Sequence, residues 1–170
     1  MRIDVPAGEG EEAQRMWRMQ PALGKAVYAF GDTVQDETRI PVRELEAARI
    51  RIAHINGCVP CSEARIADME KYGLDDSFYD DVDDPARRGR YSERERLGIE
   101  FAERFAAGAQ TFDDAFWKRM RSAYADAEIL DLATCCSKWL GLGRLNAVLE
   151  VEVSCPIQIA PSRNLEPVPA

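Results

Sequence analysis

The chain has 170 residues, 46% of them hydrophobic and 31% charged, and a net charge of −8. That is enough for one domain with a sizeable core. Phosphate binding needs a basic surface, so the acidic balance excludes nucleic acid as the main partner, and every apolar run is too short and too interrupted by charge to span a membrane.

The first twenty residues carry Asp4, Glu9, Glu11 and Glu12 and no apolar stretch of the kind a secretion signal needs. Met1 to Glu12 reads as irregular, within an N-terminal arm over 1–19 that precedes a helical domain over 20–152 and a tail over 153–170. Pro21 to about Glu37 predicts a helix, with Leu23, Val27, Ala29, Phe30 and Val34 at helical spacing. Thr38 to Pro41 breaks it, and Pro41 suits the start of a second helix reaching about Ile55, striped by Leu45, Ala48, Ile52 and Ile55.

The next stretch, Asn56-Gly57-Cys58-Val59-Pro60-Cys61, is the most informative in the chain. Asn56 suits an N-cap, Gly57 would start the first turn, and Pro60 fits where backbone N–H groups have no intrahelical partner to lose. Residues three apart are neighbours on a helix, so Cys58 and Cys61 would share one side of it. The positive end of the helix dipole favours a thiolate there. Two close thiols, one easily ionised, suit reversible disulfide chemistry. This helix is expected to run to about Lys71, with Gly73 as its stop.

Leu74 to Arg90 reads mostly as a solvated loop, because Asp and Pro argue against a long regular element. Ser92 and Glu95 have capping-box spacing and open a helix carrying Leu97, Phe101, Ala102, Phe105 and Ala106. Thr111 or Asp113 starts another, with Phe112, Phe116, Met120 and Tyr124. Asp126 would cap the next, with Ile129, Ala133, Cys136 and Leu140. Gly141 and Gly143 should bend or end it before a short final helix with Leu145, Val148 and Leu149. From Val151 onward the chain reads as an extended tail that packs on a neighbouring subunit. Alternating β patterns are scarce, so the fold class is all-α.

Five cysteines without a small-domain framework suit a reducing cytoplasm, where a close pair is catalytic or metal-binding more often than structural. A zinc site would need two further ligands. Cys135 and Cys136 are adjacent and cannot face one way on a helix, so no metal and no cofactor is expected. These two and Cys155 read as packing residues, as do Trp17, Trp117 and Trp139.

The stretch from Glu46 to Cys61 resembles the core motif of the carboxymuconolactone decarboxylase superfamily, and more closely its alkylhydroperoxidase D-like branch. The resemblance rests on a glutamate twelve residues before the first cysteine, the Asn-Gly-Cys junction and the Cys-x-x-Cys pair. It covers roughly Gln20 to Leu149. It implies an all-α helical bundle assembled as a homotrimer, or as a hexamer of trimers or dimers, and thiol-dependent reduction of small organic hydroperoxides; the leading function is thus reduction of a peroxide or a small-molecule disulfide by the cysteine pair, with an external thiol reductant. It also implies that Cys61 attacks the peroxide and Cys58 resolves the product. Helix-dipole reasoning alone favours Cys58 as the more acidic thiol.

In the family a glutamate, here Glu46, and a histidine four residues after the second cysteine relay protons. Glu46 would be a desolvated carboxyl suited to take the thiol proton, or else an exposed glutamate beside Glu44. Arg65 stands at the histidine position and cannot shuttle protons; one helical turn from Cys61, it could hold a thiolate by charge, or it could simply pair with Glu63, Asp68 or Glu70. His54, the single histidine, is four residues before Cys58 and shares a face with Glu46 if the helix is regular. It is either a substitute relay or a half-buried surface residue. A lactone decarboxylase and a redox sensor without turnover are the competing functions.

Overall fold

In the computed structural model, α3 (Val42–Asn56) is the central helix and carries a large share of the buried residues. The structure describes residues 1–152 and residue 157. Of the expected stripe, Leu45, Ala48 and Ile52 face a core shared with Leu97, Phe101, Phe116, Met120, Tyr124 and Leu132, while Ile55 is only half-buried. The opposite side, Val42, Ala47, Ile50 and Ala53, is equally buried against Ile66, Leu74, Phe78, Tyr79 and Val82. A helix apolar on two faces belongs inside a protein.

The elements on the first side follow the sequence closely. α2 (Pro21–Glu37) has a proline in its first turn. α6 (Glu93–Ala107) opens with the predicted capping box: the Glu95 N–H donates to Ser92 Oγ at 3.1 Å, and the Ser92 N–H donates to Glu95 Oε2 at 2.7 Å. α7 (Asp114–Ala123) is capped by Asp113, whose Oδ1 accepts from the Phe116 N–H at 2.7 Å. Among the described residues there is no strand, only a parallel bridge between Ile66 and Ile157, and no helix is long and apolar enough to cross a membrane. The fold class is all-α.

Several expectations are corrected. Residues 1–11 are irregular, as expected, but most of the rest of the arm is helical. Glu12–Arg18 forms helix α1, which buries Met16 and approaches α2 where Gly24 lacks a side chain; a Cβ there would lie 2.9 Å from Trp17 Cβ. Of the apolar set on α2, Val34 is buried while Leu23 and Phe30 are exposed. α8 (Asp126–Leu149) is one helix that passes through Gly141 and Gly143 without ending. Each interior glycine costs about 1 kcal/mol of helix propensity, and packing against α3 outweighs that. Its N-cap is Ala125, not Asp126, with the Ala125 N–H held by Glu128 Oε2 at 2.8 Å.

The segment after Leu74 is not a solvated loop. Asp75 caps α5 (Asp76–Asp80) and Asp84 caps a 3₁₀ turn over Pro85–Arg90. Asp81 is buried and gripped by Arg87 and Arg90. The aspartates that signalled a loop are used as caps and ion-pair partners, so Phe78, Tyr79 and Val82 between them can enter the core. The tail over 153–170, Cys155 included, lies outside the described residues apart from Ile157. That residue pairs with its own chain: its N–H donates to Arg65 O, and its carbonyl accepts from the Ala67 N–H, both at 2.9 Å.

Candidate functional site

α3 stops at Gly57, whose φ of 61° is left-handed and therefore suited to glycine. The Cys58 N–H closes back on Ala53 O at 3.1 Å. Asn56 is thus the last residue of α3, not the cap of the next helix. Its Nδ2 instead donates to Trp139 O at 3.0 Å, tying the cysteine turn to α8. Gly143 makes this possible, because a Cβ there would lie 2.8 Å from Asn56 Nδ2.

The cysteine helix, α4 (Val59–Glu63), is a single turn rather than a run to Lys71. Ala64 is extended, and the backbone of Arg65 and Ala67 bonds to Ile157. So short a helix has little dipole, which weakens the case for Cys58 as the acidic thiol. Cys58 and Cys61 are joined in a disulfide with Cα atoms 5.2 Å apart. Cys58 has no exposed surface. Cys61 lines a cavity of about 700 Å³ between α3, α4 and α8, walled by Ala53, Pro60, Trp139 and Leu142.

Glu46 is buried, and it does not stand alone. Arg49, one turn on, takes both of its oxygens, Nε to Oε1 at 2.7 Å and Nη2 to Oε2 at 2.9 Å. The same guanidinium donates to Cys61 O at 2.7 Å and Ala64 O at 3.0 Å. Burial works against the Arg49 charge, but the Glu46 carboxylate beside it leaves the guanidinium above its ordinary value. Arg49 therefore clamps the carbonyls of α4 to the central helix, and Glu46 holds the clamp. Composition and motif spacing alone do not single out Arg49. The signal available was its position three residues after Glu46, in a helix whose other face is apolar.

Arg65 lines the cavity too, but α4 ends before it, so the expected one-turn relation to Cys61 is not formed. Its Nη1 donates to Ser62 O at 2.7 Å, its Nε lies 3.6 Å from Asp76, and its guanidinium covers the Tyr79 ring at 4.3 Å. The Tyr79 phenol is pushed up by burial and by the Glu46 charge, and so stays neutral. His54 is outside the cavity lining: its Nδ1 lies 2.8 Å from Asp83, next to the Arg51–Asp83 pair. A role as substitute relay finds no support in that position. Cys135 and Cys136 are buried packing residues, and burial pushes the Cys136 thiol well up.

No protein-family model and no curated protein matches the sequence. Solved structures do match the architecture. An Agrobacterium tumefaciens protein of unknown function, described as a putative antioxidant defence protein AhpD, superposes with a TM-score of 0.69 at 18% identity, covering 82% of this chain and 96% of its own. The fold is the alkylhydroperoxidase D-like fold. An alkylhydroperoxidase AhpD core protein from Ralstonia eutropha shares it with a TM-score of 0.72 at 17% identity, covering 87% of this chain and 79% of that one. The debrominase Bmp8 does so at 0.67 and 17% identity, covering 85% and 77%. One alkylhydroperoxidase D-like scaffold thus carries names from different chemistries, and at these identities the likeness speaks for the fold alone.

Proposed function

We propose that the protein is a dithiol oxidoreductase that reduces hydroperoxides. The observation that carries this reading is the asymmetry of the bonded pair: one sulfur opens on a cavity and the other is sealed behind it. In the reduced protein, the Cys61 thiolate attacks a peroxide oxygen. The O–O bond breaks, the alkoxide leaves as an alcohol after taking a proton from cavity water, and Cys61 becomes a sulfenic acid. The Cys58 thiol then displaces its hydroxyl as water, which gives the disulfide. An external dithiol restores the pair by two exchanges, entering at the accessible Cys61 sulfur. Arg49 fixes the backbone of α4 throughout and places a permanent positive charge on the cavity wall.

The test is peroxide consumption by reduced protein with excess dithiol reductant, for wild type, Cys58→Ser and Cys61→Ser. Sustained consumption lost in Cys61→Ser supports the reading. A second reading, a redox sensor, is favoured by one observation: no histidine lines the cavity to carry protons. It predicts one disulfide per peroxide and no turnover.

A further inference from the structure

Lys138 is the residue of this cavity that the disulfide chemistry leaves unused. The other cations on its wall are already matched: Arg49 by Glu46, and Arg65 by Asp76 and the Tyr79 ring. Lys138 is not. Its Nζ donates to the carbonyl of Gly31 on α2 at 2.7 Å, and it makes no ion pair among the described residues. Burial dominates and holds the ammonium below its ordinary value, against weaker opposing pulls from the Cys135 thiol and from Asp32 and Asp36, none of which forms an ion pair with it. Glu63 is the single acid on the cavity wall among the described residues, and it is exposed. An ammonium has three donors, and a half-buried charge without a counter-ion is costly to keep. A ligand that brings the counter-ion would remove that cost.

The spacing sets what such a ligand looks like. Cys61 Sγ lies 3.9 Å from where a Cβ on Gly143 would stand. Lys138 is five residues earlier on α8, about 7.5 Å of helix rise away and about 140° round its axis from Gly143, yet both line the one cavity, and helical side chains lean further toward the N-terminus. The cavity they share is mostly apolar, with Trp139, Leu142 and Ala53 on its wall, although Gln35, Asn56 and Asn146 line it too.

We propose that Lys138 is a carboxylate-binding residue, and that the cavity takes amphipathic acids whose hydroperoxide lies a short apolar chain away from the carboxylate, against Cys61. The identity of the reacting group rests on the peroxidase reading above; the carboxylate site does not. Binding is therefore measured first without chemistry, by calorimetric titration of the oxidised protein with octanoate and with 1-octanol. A charge-assisted hydrogen bond in a partly dry site predicts octanoate about tenfold tighter or more. Lys138→Met brings the ratio near one, and Lys138→Arg keeps most of it. Turnover of a hydroperoxy acid against its methyl ester gives the same ratio through KM. Equal binding of octanoate and octanol by wild type overturns the proposal, as does a preference that survives in Lys138→Met. An octanoate preference without any peroxide turnover upholds the Lys138 site and removes only the peroxidase reading.

Discussion

Arg49→Met tests the clamp directly. The substitution removes two bonds to Glu46 and the donors to Cys61 O and Ala64 O. It leaves a carboxylate that is 2% exposed without its cation. Breaking a buried pair from one side costs about 3–5 kcal/mol, mostly because a charge is stranded. For a chain of this size each kcal/mol moves Tm by about 2–4 °C, so the expected loss is roughly 6–20 °C. The double variant Glu46→Leu, Arg49→Met strands no charge. It should therefore be less destabilised than the sum of the single changes, with a coupling of about 1–3 kcal/mol. Urea unfolding of the oxidised wild type, both single variants and the double variant gives all four free energies. Because Arg49 also holds the Cys61 carbonyl, dithiothreitol should reduce the disulfide of Arg49→Met at a changed rate. Additive losses, or a single-variant loss below about 0.5 kcal/mol, the range of ordinary surface substitutions, would refute the reasoning.

Gly143→Ala brings a methyl group to 2.8 Å from Asn56 Nδ2. It should cost about 1–3 kcal/mol as overpacking, seen in thermal melts, and slow alkylation of Cys61 by iodoacetamide in the reduced protein. Asp81 is held below the usual carboxylate range by the hydrogen bond from Arg87 and then that from Arg90. A depressed folded-state pKa contributes stability that is full above the ordinary value of 3.8 and is lost as pH falls below it. Asp81→Asn should therefore flatten the fall in stability below about pH 4, measured by urea unfolding at stepped pH; an unchanged slope would sink this assignment. His54→Ala should leave peroxide consumption as it is, since the imidazole faces Asp83 outside the cavity, and should cost less than about 1 kcal/mol as a partly exposed pair.

Local rules decided much of the chain. Proline in a first turn, the Ser92–Glu95 box and the Asp113 cap set helix starts that depend only on backbone groups within four residues, and such signals survive in any surroundings. The cysteine pair was legible for the same reason: its chemistry depends on spacing along the chain. Tertiary packing decided what periodicity could not. Asp75 and Asp84 cap as locally as Asp113 does, but the density of aspartates between Leu74 and Arg90 reads as loop because the burial of Asp81 between two arginines is visible only once Arg87 and Arg90 fold back. α4 ends after one turn because the backbone beyond it pairs with Ile157, some ninety residues on in sequence. Arg49 reads from sequence as one more surface arginine, and Lys138 as one more lysine. What makes them distinctive is burial, which removes the water that would otherwise answer their charge and leaves that task to Glu46 for one and to whatever enters the cavity for the other.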